Sequence, residues 1–293
     1  MYRKGYGVIE TLAPVHVGAT AGEETGNLNL LFRDQFTQTG IIPGSSIRGR
    51  LRADMRHKTW QDDQTTKRVD EKGDILDPQV VTDWYGKGAE KERGEEDYES
   101  AIKIEYASIV WLPVFCPGQP IVWVTCPRLL ERYKRITGIT GKVPAPETAS
   151  HSLFGKNEGG TKTLFFNFGF LQVNKTKSEN GLEDWFPDGQ EKPAVVLENA
   201  DIGLVHDMAL YRQSRVALEL DTKIVNDKGG FFNVEALPEG TLMVFPIGMK
   251  KTKEWGNWNP IDGSKTGDLY LGGLESVGFG HCSVEIKLHQ EVK

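Results

Sequence analysis

The sequence predicts an α+β protein with a ferredoxin-like (RRM-like) core sheet and large insertions. Three observations lead there. Segments rich in β-branched and aromatic residues recur from Tyr6 to Ile286. Helical stretches with apolar residues at three- and four-residue spacing are interspersed among them. Polar, turn-rich excursions interrupt the pattern at about 59–100 and 174–200. With 293 residues, 38% of them hydrophobic, the chain can bury a sizeable core, and 1–293 reads as a single domain.

The first strand runs from Tyr6 to Val17, with His16 at its end. Gly18 to Gly26 reads as a loop, and Leu28 to Phe32 as a short strand or turn. Ile42-Pro43-Gly44 is a turn signal, followed by Ser45 and Ser46, either of which can cap a helix. In that helix Ile47, Leu51 and Met55 form an apolar stripe, while Arg48, Arg52 and Arg56 share a second face with Arg50 beside it. From Thr59 to Ser100 the composition turns polar and charged, broken by Val80-Val81 and Trp84-Tyr85; this reads as an insertion decorating one edge.

Two core strands, Ile102–Val114 and Ile121–Val124, flank the turn at Pro117-Gly118. A helix over Arg128–Ile136 packs Leu129, Leu130, Tyr133 and Ile136, and carries Arg128, Arg132, Lys134 and Arg135. Thr163 to Val173 reads as one strand and Asn174 to Lys192 as a polar excursion. A helix from Ile202 directs Val205, Met208 and Ala209 inward; Val216–Ile224 returns as a strand. Asp227-Lys228-Gly229-Gly230 is a hairpin turn into the strand Phe231–Glu235, and a further strand covers Thr241–Ile247. Lys250 to Thr266 forms a loop with Trp255 and Trp258, and Leu269 to Ile286 closes the fold with a glycine-rich turn and a last strand.

Composition excludes several classes. No apolar run approaches the ~20 residues of a membrane span, and no signal-peptide core follows Met1-Tyr2-Arg3-Lys4-Gly5. Cys116, Cys126 and Cys282 are odd in number and lack metal-ligand spacing, so neither a disulfide frame nor a zinc site is expected, and a reducing cytoplasmic setting fits. The net charge of −6 counts against binding nucleic acid through bulk charge, so any such site must be a local basic groove.

Two readings of the arginine-bearing helix stand open: a solvated basic face, or an anion site using the free amides and positive dipole end of its first turn. The string Gly272-Gly273 to Gly278-x-Gly280 lacks the Lys-Ser/Thr of a phosphate-gripping nucleotide loop and runs into strand residues, so its glycines serve close backbone approach. A histidine alone at a strand end, as His16 is, has an ordinary structural use. The acid pairs Asp62-Asp63 and Glu95-Glu96-Asp97 read as solvated charge.

The IPGSS string over Ile42–Ser46, its basic helix, and the upstream His16-Val17-Gly18 resemble the RAMP superfamily of CRISPR proteins, closest in kind to the repeated backbone subunits of the Cmr and Csm effector complexes. Trp123 to Arg132, Val216 to Leu242, and Leu271-Gly272-Gly273 to Gly280 are similar to the Cmr-type subunit in the same order, so the resemblance spreads over most of the chain.

It implies a guide-RNA-binding backbone subunit of a type III RNA-targeting complex, whose partners are guide RNA, target RNA, other RAMP subunits and the large subunit, with no membrane. The implied RNA-binding residues are His16, Ser45, Ser46, Arg48, Arg50, Arg52, Arg56, Gly278 and Gly280. Similar subunits carry a hairpin wedge that displaces a base; the residues around Lys223, Lys228, Phe231 and Phe232 suit it, and so does Phe166–Lys177. The family's target-cutting aspartate falls here on Leu28 or Asn29, neither a carboxylate. No cofactor is therefore expected, Mg²⁺ or Mn²⁺ being needed only for cleavage through a displaced acid such as Glu23, Glu24 or Asp34. The other alternative is a capping RAMP subunit at a guide end, with His16 as a base.

Overall fold

The computed structural model describes residues 2–18, 28–59, 78–86, 99–153, 156–158, 161–166, 169–174, 181–216 and 231–289. In chain order the strands are β1 (Tyr2–Thr11), β2 (Leu28–Asn29) and β3 (Ile41–Ile42), followed by helices α1 (Gly44–Thr59) and α2 (Pro78–Tyr85). Then come β4 (Ile102–Ile104), β5 (Ala107–Cys116), β6 (Gln119–Thr125), α3 (Pro127–Thr137), β7 (Lys156–Glu158), β8 (Thr161–Phe166), β9 (Gly169–Asn174) and β10 (Ala194–Val196). The chain closes with α4 (Ile202–Ala209), β11 (Tyr211–Val216), β12 (Phe231–Ala236), β13 (Leu242–Lys250), β14 (Thr266–Tyr270) and β15 (His281–Leu288).

A mixed sheet of nine strands dominates. Its path is β10-β6-β5-β13-β1-β15-β14, with β3 paired to β5 and β4 to β13. Within this sheet, among the described residues, β10–β6 is the one parallel pairing. Two three-stranded sheets, β11-β12-β2 and β7-β8-β9, stand beside it. Long, mostly antiparallel strands and few helices agree with the sequence reading at this level.

Strand β5 is buried on both faces, and its residues divide between two cores, with a register shift against β13 that turns the consecutive Val110 and Trp111 to the same side. Ile109 and Leu112 point to the larger core, which holds Ile47 and Leu51 of α1 and the α2 residues Val81, Trp84 and Tyr85. Val110 and Trp111 point to the other, where Leu130, Tyr133 and Ile136 of α3 pack with Trp185 and Phe186. Trp111 stacks on Phe186 at 4.4 Å and donates Nε1–H to the Trp185 carbonyl at 2.8 Å, so its polar edge is satisfied in the core. Helix α3 follows its sequence signals: Pro127 opens it, and left-handed Gly138 closes it with an N–H to the Lys134 carbonyl at 2.8 Å.

Several boundaries differ from the sequence reading. Strand β1 stops at Thr11, because Leu12 and Ala13 turn their amides to the His281 carbonyl and Pro14 has none to offer. Val15 and His16 make isolated bridges to Leu237 and Gly273 instead. The run Thr163–Val173 is two strands: Phe166 lies opposite Gly169 in an antiparallel pair, so the chain reverses between them. Strand β11 begins at Tyr211, earlier than expected, and pairs with β12 from Tyr211↔Ala236 to Val216↔Phe231. Part of the polar insertion also orders: α2 buries Val81, Trp84 and Tyr85 against α1 and Trp258, whose Nε1–H reaches the Tyr85 hydroxyl at 3.2 Å. Three apolar side chains at i, i+3 and i+4 on one face outweigh the polar average around them. Asp62-Asp63, Glu95-Glu96-Asp97 and the turn Asp227–Gly230 lie outside the described residues. No described helix is long and apolar enough to cross a membrane, and the three cysteines are buried free thiols.

Helix α4 buries His206 completely. Its Nε2 accepts the Gly40 amide at 2.9 Å, so the neutral ring carries its proton on Nδ1, 3.5 Å from Asp207. Burial, then the Arg33 guanidinium, push the His206 pKa down to about 4, against the opposing pull of Asp207. The unfolded chain therefore takes up this proton first, and stability falls as pH drops from about 6.5 toward 4 by up to about 1.4 kcal/mol per unit. We expect His206→Gln, which keeps an acceptor for Gly40, to flatten that part of a stability-versus-pH curve from chemical denaturation. An unchanged slope would show that other groups control it.

Candidate nucleic-acid interface

Three segments distant in sequence meet beside the first turns of α1. Val17 and Gly18 come from the stretch after β1. Ser46, Gly49 and Arg50 come from α1, and Tyr270, Gly272, Gly273 and Glu275 from the turn after β14. They line a groove of about 390 Å³.

The helix start is built on a close approach. A Cβ at Gly44 would stand 2.3 Å from the Ile104 carbonyl oxygen, so only glycine lets the turn dock on the end of β4. The Pro43 carbonyl accepts the Ser46 and Ile47 amides at 3.0 and 3.2 Å. Pro43 thus closes the first turn, and neither serine is the cap: Ser45 and Ser46 sit inside it. The opening amides of a helix have no intrahelical acceptor, which leaves this end suited to an anion.

Glycine also fixes the opposite wall. Gly272 has φ 93°, and a Cβ there would lie 2.2 Å from the His16 carbonyl oxygen. That contact lets the Gly273 amide reach the same oxygen at 2.9 Å and zips the stretch after β1 to the glycine turn. Gly280 repeats the device one layer out: its φ is 90°, its amide meets the Pro14 carbonyl at 2.9 Å, and a Cβ would lie 2.7 Å from the Leu271 oxygen. Gly278, φ 92°, ends a short turn of helix over Glu275–Val277. Both support the wall, while Gly272 and Gly273 form it.

The arginines divide by role. Arg48 gives its guanidinium to the Tyr85 carbonyl and Arg52 to the Gly86 carbonyl at 3.2 Å, so both cap the C-terminal end of α2. Burial, then Arg56 and Arg48 nearby, hold the Arg52 pKa below its ordinary value. Arg50 faces the groove between Asp54 at 3.1 Å and Glu275 at 3.6 Å. Such part-exposed pairs are worth about 0–1 kcal/mol, so an arriving phosphate can displace them. Arg56 is exposed farther along α1. His16 reaches the groove through its backbone; its imidazole is buried and donates Nδ1–H to the Glu235 carbonyl at 2.6 Å. Gly49, Tyr270 and Glu275 were absent from the sequence-derived set. A glycine inside a helix costs about 1 kcal/mol against alanine, and nothing lies within 4 Å of the place a Cβ would take at Gly49. That cost was the available signal: the missing side chain keeps the groove open.

Strand β2 places Asn29 parallel to β12, opposite Val234. Asp34 caps its own loop, accepting the Phe36 and Thr37 amides at 3.0 and 2.8 Å and the Thr37 hydroxyl at 3.0 Å. Burial alone would raise its pKa, but these bonds outweigh burial and lower it. Among the described residues no three His, Cys, Asp or Glu side chains gather as a metal site would. Glu23, Glu24, Lys223 and Lys228 lie outside the described residues, as do the side chains of Phe231 and Phe232. On the β8–β9 hairpin Phe165 and Phe170 stand exposed side by side, ring centroids 6.5 Å apart.

Comparison with known proteins bears on this arrangement. The family model described as the RAMP superfamily matches residues 8–283. Oligomeric Cmr4 from Pyrococcus furiosus superposes with a TM-score of 0.64 at 18% identity, covering 99% of this chain and 100% of that one. A chain of the type III-B Cmr-beta assembly bound to cognate target RNA gives 0.65 at 18% identity, covering 97% and 96%. A further Cmr4 crystal structure gives 0.63 at 17% identity over 98% and 100%. No curated protein matches the chain.

The groove wall makes its own prediction. Gly272→Ala forces a Cβ against the His16 carbonyl at a left-handed φ and should cost about 2 kcal/mol or more of stability. Gly273→Ala meets open space and should stay within about 0.5 kcal/mol of wild type. Thermal denaturation of the pair checks this; equal losses would remove the close approach as the reason for Gly272.

Proposed function

The chain belongs to the RAMP superfamily, and from that premise we propose that it is a guide-RNA-binding backbone subunit of a type III RNA-targeting CRISPR effector complex, one that holds its target without cutting it. One observation carries the reading: the Ile42–Ser46 turn, the stretch after β1 and the Gly272-Gly273 turn build a single groove beside an anion-suited helix start. Groove chemistry of this kind, one guanidinium beside a helix start with glycines at the walls, suits a sugar-phosphate backbone and reads no base. Base pairing by the guide would then select the target, as in other RNA-guided effectors. Further partners are the target RNA, neighbouring RAMP subunits and the large subunit, in a cytoplasmic ribonucleoprotein. The succession β1-α1-β5-β6-α3-β13 along the chain is that of a ferredoxin-like core, but in the sheet these strands stand in the order β6-β5-β13-β1, without that fold's parallel pairing of first and third strands.

The non-cutting half rests on the donor set of one segment. Holding a hard divalent cation beside a phosphate requires anionic oxygen ligands. Leu28 has none and Asn29 has only a neutral carbonyl, so the residues at the expected position do not fit the metal. The carboxylate of Asp34 is committed to the turn it caps.

Two outcomes follow. Gly49→Glu puts a carboxylate into the groove and should weaken guide RNA binding about tenfold or more, independently of sequence, with the log–log salt slope shallower by about one phosphate contact. Equal affinity and slope in the folded variant would place the guide elsewhere. In an assembly whose other backbone subunits are inactivated, we expect intact target RNA at this subunit's position in Mg²⁺ or Mn²⁺. A residual metal-dependent cut abolished by Glu23→Ala, Glu24→Ala or Asp34→Ala would make the chain an endonuclease.

A further inference from the structure

A second cavity, of about 450 Å³, lies between the Asp34–Thr37 loop and the outer face of α3. Arg128, Arg132 and Arg135 project into it from positions one and two turns apart on a single helical face, opposite the side that packs Leu130, Tyr133 and Ile136 in the core. Arg132 is its floor. That guanidinium lies 4.0 Å over the Tyr106 ring and binds the Ser108 hydroxyl at 2.9 Å and the Tyr106 carbonyl at 3.2 Å.

Arg128 and Arg135 are exposed above it. The acids of the lining are Asp34, already bound into its own turn, and exposed Glu131. Glu105, exposed beside the lining, pairs with Arg132 at 4.0 Å, so three arginines meet three acids here, and Arg128 and Arg135 are the cations that stand at the open side. At the rim stands Phe36, 73% exposed, its ring 4.8 Å from the Arg128 guanidinium. The turn capped by Asp34 holds that aromatic face in water.

An exposed ring beside exposed guanidinium groups is the pairing that single-stranded nucleic acid uses, its base on the ring and its phosphate on the cation. The volume suits one nucleotide and is too small for a duplex. Thr37, in the lining, precedes Pro43 by six residues. Ser46 of the groove lies nine residues after Thr37, a span of at most about 32 Å, within reach of one strand of RNA.

We propose that this cavity is a second RNA contact, seating one unpaired nucleotide with its base against Phe36 and its phosphate between Arg128 and Arg135. The inference rests on the RNA-binding reading above and extends it beyond the α1 groove. Folded Arg128→Glu/Arg135→Glu should lower the affinity of the purified assembly for single-stranded RNA about tenfold and flatten its salt dependence by about 0.7 per lost phosphate. Phe36→Ala should lower affinity several-fold with the slope unchanged, because stacking releases no ions. Fluorescence anisotropy across a salt series reads both, with Gly49→Glu as the reference for the groove and Arg128→Gln/Arg135→Gln as the milder variant.

Wild-type affinity and slope in the folded Gln pair and in Phe36→Ala, with Gly49→Glu impaired, would overturn this inference and leave the groove standing. A wild-type assembly that binds no RNA would overturn both. A change in the oligomeric mass of RNA-free protein by light scattering, with RNA affinity unaltered, would show that the cavity seats a neighbouring protein chain and would likewise overturn it.

Discussion

Glu235 is the residue on which the site depends. Its carboxylate, 6% exposed, meets Arg33 at 3.2 Å and Arg212 at 3.1 Å, while its carbonyl receives the His16 imidazole at 2.6 Å. Arg33 also binds Asp207 of α4 at 2.5 Å. One residue of β12 thereby pins the stretch after β1, the chain leading to β3 and α1, the start of β11 and the helix α4. Removing it would leave part-buried Arg33 with Asp207 alone and return Arg212, about half exposed, to water, while the His16 imidazole would keep its bond to the position-235 carbonyl. The His16 backbone, held in this way, is what Gly272 and Gly273 close upon.

The basic face of α1 shows how one arginine row serves two ends. Positions 48 and 52 face the end of α2, where backbone carbonyls lack helical partners, and a guanidinium satisfies them with charge of the favourable sign. Position 50, rotated about two residues around the helix, faces the groove. Charge reversal at Arg48 or Arg52 would therefore act first on the packing of α2 and Trp258, and only through that on a ligand. The acidic body and the local guanidinium groups are compatible, because the proposed site needs only one arginine, a helix start and the shape of the groove.

Much of this was legible in the sequence. The Ile42–Ser46 turn, the apolar stripe of Ile47 and Leu51, the α3 signals and the return of glycines near the C-terminus all appear where the pattern puts them. Capping by Ser45 or Ser46 was not readable, because the choice between serine and the Pro43 carbonyl depends on how closely Gly44 docks against Ile104. Which arginines hold α2 and which one faces the groove was likewise hidden, since spacing assigns a helix face but not what lies opposite it. Helix α2 was lost in a polar average, although Val81, Trp84 and Tyr85 are together enough to bury it. The cavity at Phe36 joins a loop to a helix some ninety residues later, a contact that no local pattern contains.

The proposed function places an RNA backbone in the groove between α1 and the Gly272-Gly273 turn. Photo-crosslinking of the RNA carried by the purified assembly, followed by mass spectrometry of the attached peptides, tests it most directly. The account predicts cross-links on peptides containing Ser46–Arg50 and on Tyr270 at the groove edge. Cross-links confined to other surfaces, with both groove peptides recovered unmodified from an RNA-loaded assembly, would contradict it.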